Sequence, residues 1–115
     1  MARARASVAL TLHHAAPLFA ALGDDTRLGL VVRLCEGGPQ SISGLTLGAG
    51  VTRQAVTKHL RTLEAAGVVS SRRDGREQVW EILPQRVAQA RRYLEQISLE
   101  WDEALERLRR FVETD

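Results

Sequence analysis

The segment Gly50-Val51-Thr52-Arg53-Gln54-Ala55-Val56-Thr57-Lys58-His59-Leu60-Arg61-Thr62-Leu63-Glu64-Ala65-Ala66-Gly67 carries two patterns at once. Val56, Leu60 and Leu63 recur at i, i+4 and i+7, the spacing that lines up apolar groups along one side of an α-helix. Arg53, Gln54, Thr57, Lys58 and Arg61 fall on the other side. These side chains are suited to hydrogen-bonding base edges and phosphates. Thr52 is placed to cap the first turn, Gly50 permits a tight entry, and Gly67 closes the helix. The spacing predicts a helix over about 52–66 with a core face and a DNA-reading face. Such a helix, entered through a tight turn, reads as the recognition helix of a helix-turn-helix.

Downstream, the period changes from helical to alternating. Val68-Val69-Ser70-Ser71-Arg72 reads as a short strand and Gln78-Val79-Trp80-Glu81-Ile82 as its return. Between them Asp74-Gly75 predicts a type I′ hairpin turn, which needs positive φ at its central residues. A two-stranded hairpin is marginal alone, so this one is expected to lean on the helices through Trp80 and Ile82. Arg72, Arg73 and Arg76 would then surround its tip as a basic wing. Net charge over the whole chain is only +2. Within residues 52–76, however, six basic residues face Glu64 and Asp74, a local net charge of +4. A basic cluster alone is usually a solvated face, but this one coincides with an independent structural signal.

Upstream, Pro17 to Leu22 reads as a short helix ended by Gly23. Asp24 or Asp25 can cap a second helix over about 26–36, with Leu28, Val31, Val32 and Cys35 on its inner stripe and Gly37-Gly38-Pro39 as its stop. Residues 41–50 give the weakest pattern. Ser43 could cap a short helix through Leu45 and Leu47, but Gly44 and Gly48 each cost about 1 kcal/mol in a helix interior. Only packing against neighbours would hold it.

At the other end, Pro84 breaks the strand and a helix of about 29 residues follows, roughly 43 Å long at the α-helical rise. Val87, Ala90, Leu94, Ile97, Trp101, Leu105, Leu108 and Val112 recur along it every three or four residues. That stripe outruns what a 115-residue chain can cover. The economical partner is the same stripe on a second copy, in a two-fold dimer. Leu94, Ile97, Trp101, Leu105, Leu108 and Val112 are the expected dimer interface. The fold class expected is therefore mainly α with a small β-hairpin wing. The domain organisation expected is a flexible arm over 1–14, a winged helix-turn-helix over 15–84 and a dimerisation helix over 85–115.

Composition narrows the function. No apolar run approaches the ~18 residues that span a bilayer. The basic start, Met1-Ala2-Arg3-Ala4-Arg5-Ala6-Ser7, is followed by too short an apolar stretch for a secretory signal. It shares its Arg/Ala/Ser bias with transit peptides, but a frayed arm is the simpler expectation. One cysteine excludes an intrachain disulfide and fits a reducing cytosol. No nucleophile elbow, P-loop or dinucleotide-type glycine turn is present, so no enzymatic site is expected.

The order helix, helix, helix-turn-helix, hairpin, long helix is that of a winged helix-turn-helix. At Leu18-Phe19-Ala20-Ala21-Leu22-Gly23-Asp24-Asp25-Thr26-Arg27-Leu28 the chain resembles the arsenic-repressor (ArsR/SmtB-type) family of bacterial repressors. The resemblance continues through Arg53 to Leu60, Leu63 to Gly67 and the wing Asp74-Gly75-Arg76-Glu77, covering about residues 17–83. It implies a homodimer on a palindromic operator that is usually repressed until a signal releases it. By that resemblance Thr52, Arg53, Gln54, Thr57, Lys58, Arg61, Arg72, Arg73 and Arg76 contact DNA. Arg53 and Gln54, near the helix N-terminus, would read guanine and adenine. Thr57, Lys58 and Arg61 would hold phosphates, and the wing arginines would track the backbone or enter a narrow minor groove. His59 falls at a position that is structural in the family.

The chain departs from the family's metal chemistry. Residues 41–50 hold no Cys or His, and residues 84–115 hold acids but no His. Transition-metal sites need several soft or imidazole ligands together, so no metal and no cofactor is expected. Cys35 shares its expected stripe with Leu28, Val31 and Val32, where a free cysteine acts as a small hydrophobe. Two alternatives stay open at this point. One is a thiol- or metal-responsive repressor using Cys35 with His13 and His14. The other is a winged-helix module that docks a protein instead of DNA.

Overall fold

A computed structural model describes residues 15–113. The arm expected over 1–14, with His13 and His14, lies outside the described residues. The chain is helical over 15–22 (α1) and then forms α2, Asp25–Gly37. The two-residue strand β1, Gln40–Ser41, leads into α3, Ile42–Thr46, and α4, Arg53–Ala65. The strands β2, Val69–Asp74, and β3, Glu77–Ile82, form the hairpin, and α5, Pro84–Glu113, completes the chain. The sheet is antiparallel in the order β1-β3-β2.

Helix α4 forms as its spacing predicts. Val56, Leu60 and Leu63 are completely buried. Thr52 is its N-cap, its Oγ1 accepting from the Ala55 N–H at 3.1 Å. At the far end the Val68 N–H donates to the Leu63 carbonyl at 3.0 Å and the Gly67 N–H to that of Glu64 at 2.9 Å. This is a Schellman motif, with Val68 and Leu63 burying its accompanying apolar contact. It requires a left-handed residue at Gly67, where φ is +77°. A methyl group there meets only the Arg86 side chain at ordinary van der Waals distance. Gly67→Ala is therefore expected to cost about 1–2 kcal/mol from backbone conformation alone. A thermal midpoint unchanged from wild type would refute that accounting.

Four local expectations are corrected. On α2 the buried residues are Leu30, Val31 and Leu34, while Leu28, Val32 and Cys35 are exposed. Leu28, Leu30, Val31, Val32, Leu34 and Cys35 spread over a wide arc of the helix, so two adjoining stripes are available. The choice is made by α1 and α4, which pack on the Leu30 side. The Arg27 Nε also donates to the Ala21 carbonyl at 2.6 Å, tying that side to α1. The cap of α2 is Asp24, whose carboxylate accepts from the Arg27 N–H at 3.0 Å.

Helix α3 is capped by Ser41, not Ser43, and ends before Leu47, which is exposed. Its register is set by burial of Ile42 and Leu45. The Arg33 guanidinium, reaching from α2, donates to the carbonyls of Leu45 and Gly44 at 2.7 and 2.8 Å. Those carbonyls have no partner inside so short a helix, and this bracing offsets the glycine at position 44.

The hairpin turn also differs. Asp74 pairs with Glu77, so the two loop residues are Gly75 and Arg76. Only Gly75 has positive φ, at +65°. That is the sign pattern of a type II′ turn, in which glycine stands first, and not of type I′. Finally, β1 was not expected, since Gln40 and Ser41 follow a Gly-Gly-Pro breaker and are polar. They pair with Trp80 and Val79 and give the hairpin a third strand. Trp80 is completely buried and Ile82 packs against the core, as the alternation predicted.

Candidate nucleic-acid interface

The cap at Thr52 fixes where α4 begins, and therefore which residues occupy its first turn. Arg53 and Gln54 are the first two helical residues, and both are exposed. Neither side chain has a hydrogen bond or ion pair among the described residues. Lys58, one turn on, is exposed and equally uncommitted. The Thr57 hydroxyl bonds back to the Arg53 carbonyl at 3.0 Å, which leaves its oxygen lone pairs available. The burial of Val56, Leu60 and Leu63 holds the opposite face against the core, so these polar side chains are presented outward on a rigid support.

On the wing, Arg73 and Arg76 are exposed and have no ion pair among the described residues. Arg72 differs, its Nε lying 3.6 Å from the Glu81 carboxylate across the hairpin. Arg61 differs more. Its guanidinium donates to Glu64 Oε1 at 2.9 Å and lies 5.0 Å from the centre of the Trp80 ring. Arg61, expected on phosphate, roofs a core tryptophan while its side chain stays exposed.

Sequence reasoning missed the polar groups that support this face. Glu64 accepts from Arg61 through one oxygen and from the Ser71 hydroxyl of β2, at 3.0 Å, through the other. His59 is half-buried, its Nδ1 accepting from Arg27 Nη1 at 3.3 Å and lying 3.9 Å from Asp24. It joins α4 to the start of α2, consistent with a structural role. The sequence signals were the i,i+3 spacing of Arg61 and Glu64 and an imidazole on the edge of an otherwise basic helix.

Two carboxyls respond to these partners. The backbone N–H of Arg27 holds Asp24 below its ordinary value of 3.8. The Arg61 hydrogen bond, aided by Ser71, holds Glu64 below its ordinary 4.5. A depressed folded-state pKa contributes stability at pH above the ordinary value, and that contribution disappears as pH falls through the depressed one. The thermal midpoint of wild type should therefore drop more steeply below about pH 4 than that of the Asp24→Asn, Glu64→Gln double variant. Parallel curves would show that neither carboxyl is linked to folding.

Helix α5 presents the other candidate surface. Within the protomer only Ala90 and Tyr93 of this helix are buried, Tyr93 meeting Phe19 of α1 at 5.7 Å between ring centroids. Leu94, Ile97, Trp101, Leu105, Leu108 and Val112 are all exposed, Trp101 by 66%. A shallow apolar hollow of about 420 Å³, between Val87, Ala90, Leu94 and Ser98, opens along the same stripe. Among the described residues no group of three or more His, Cys, Asp or Glu is placed to hold a metal ion. No helix there is long and apolar enough to cross a membrane.

Comparison with known proteins agrees with this geometry. The family model for bacterial regulatory proteins of the arsR family matches residues 24–71, from the cap of α2 to the first half of the wing. The HTH-type transcriptional regulator YuzN of Bacillus subtilis is 40% identical over 68 residues, 54% of this chain and 74% of that protein. The chain belongs to the ArsR family. An ArsR-like transcriptional regulator from Rhodococcus sp. RHA1 superposes with a TM-score of 0.74 at 38% identity, covering 88% of this chain and 94% of that one. A Mycobacterium bovis winged helix-turn-helix domain, described as homodimeric, superposes with a TM-score of 0.63 at 25% identity over 80% of this chain and 83% of its own. Membership makes this chain a DNA-binding transcriptional regulator and not an enzyme.

Proposed function

We propose that this ArsR-family regulator is a cytoplasmic homodimer that represses transcription from a palindromic operator. The observation that carries the reading is the pairing of two unsatisfied surfaces. One is the uncommitted polar first turn of α4 with the arginines of the wing tip. The other is the apolar stripe of α5. The M. bovis relative is described as homodimeric, which supports pairing of two copies. Two-fold symmetry would set two α4 helices into successive major grooves about 34 Å apart. Arg53 and Gln54 would read base edges, while Lys58, Arg73 and Arg76 hold phosphates and Thr52 fixes the helix that presents them.

Fluorescence anisotropy with the DNA upstream of its own coding sequence tests the reading. Affinity for that duplex should exceed affinity for a scrambled one, and should fall steeply between 50 and 200 mM salt as phosphate counterions are displaced, typically by 10³–10⁵ for 6–10 phosphate contacts. Equal, salt-insensitive binding to both duplexes refutes it. Release is proposed to need no metal, since residues 41–50 hold no Cys or His and residues 84–115 hold acids but no His. Zinc added to the complex should then leave it intact. The exposure of Cys35 favours a second reading of release, through thiol oxidation. An oxidant that dissociates the wild-type complex but not that of Cys35→Ser would establish it.

A further inference from the structure

Recognition by a winged helix needs two elements held at one angle. The first turn of α4 must meet base edges while the wing meets phosphates on the same duplex. The backbone joins them through a single left-handed glycine, Gly67, a conformation that L side chains rarely adopt. Side chains supply a second link. Glu64, in the last turn of α4, bonds Arg61 of the same helix through Oε1 at 2.9 Å and Ser71 of β2 through Oε2 at 3.0 Å. Ser71 stands opposite Trp80 in the hairpin register, and the Arg61 guanidinium lies over the Trp80 ring. Both oxygens of one carboxylate are thus spent on locking the recognition helix to the base of the wing.

We propose that Glu64 is a positioning residue for sequence-specific DNA binding. It fixes the wing against the recognition helix through Ser71, and it withholds Arg61 from phosphate by keeping that guanidinium over Trp80. The inference rests on the DNA-binding assignment of α4 and the wing. The charge pattern explains why withholding matters. An arginine released onto phosphate adds affinity for every sequence alike, so it dilutes the discrimination that Arg53 and Gln54 provide. Exposed ion pairs add little to stability, so the expected role of this one lies in geometry.

The test compares two duplexes, one selected by the wild-type protein from a randomised library and one of random sequence. Glu64→Ala should lower the ratio of selected to random affinity about ten-fold, the scale of one lost charge-assisted hydrogen bond. Its affinity for the random duplex should not fall. Its salt dependence should steepen by about 0.9 in log–log slope for each phosphate that the freed Arg61 neutralises. A merely structural role would lower both affinities together and leave the slope unchanged. Ser71→Ala releases the wing but leaves Arg61 held. It should lower the ratio with no change in slope, and in the Glu64→Ala background it should add nothing. This second variant keeps the test decisive where Glu64→Ala folds poorly. If both single variants keep the wild-type ratio and slope, the positioning role is overturned while DNA recognition stands. If the wild-type protein selects no sequence, both readings are overturned together.

Discussion

Leu105→Glu is expected to leave a folded monomer that has lost operator binding. Leu105 is half-exposed and lies outside the protomer's hydrophobic core, so helicity by circular dichroism should match wild type. In a two-fold dimer on α5, however, position 105 lies in the middle of the stripe from Leu94 to Val112. Two carboxylates would enter an apolar seam without partners, and an unpaired charge taken from water costs several kcal/mol. Size-exclusion chromatography with light scattering should report a monomer at micromolar concentration. DNA affinity should fall by about 10²–10⁴, because the second half-site is then no longer engaged within the same molecule. A variant that remains dimeric, or a monomer that binds as tightly as wild type, would remove α5 from the assembly.

Arg53→Ala should sharply reduce discrimination while sparing general DNA binding. Arg53 is the first residue of α4, is exposed, and has no competing partner among the described residues. A bidentate arginine–guanine contact is worth about 1–3 kcal/mol against the wrong base, and a dimer loses it at both half-sites. The selected duplex should therefore bind roughly 10- to 100-fold more weakly per half-site, with the random duplex little changed. Arg73→Ala should behave oppositely, weakening both duplexes and lowering the salt slope by about 0.9 per lost phosphate contact. If Arg53→Ala weakened all sequences equally, base reading would have to be sought elsewhere on α4.

The contrast between Arg53 and Arg61 shows how far residue type alone reaches. Both are arginines on the polar side of one helix, and spacing assigns both to DNA. In the structure Arg61 meets Glu64, its i+3 neighbour on the helix, and Trp80, which no helical pattern places near it. Trp80 is nineteen positions away and reaches Arg61 only because the hairpin folds back on α4. The same holds for Arg33, whose role in bracing the carbonyls of α3 depends on the approach of two separate helices.

By itself the sequence determined what short-range physics can decide. The 3.6-residue period of Val56, Leu60 and Leu63, the cap at Thr52, the left-handed stop at Gly67 and the proline at the start of α5 each depend on neighbours within about one turn. So do the uncovered stripe of α5 and the basic character of 52–76. Tertiary structure alone decided which of two stripes of α2 is buried, where α3 begins, that Gln40 and Ser41 extend the sheet, and that Cys35 faces outward. In each of these the local pattern offered alternatives of nearly equal free energy. The difference between them came from groups brought together across the chain, such as Leu34 against the core, Arg33 on α3 and Trp80 opposite Gln40.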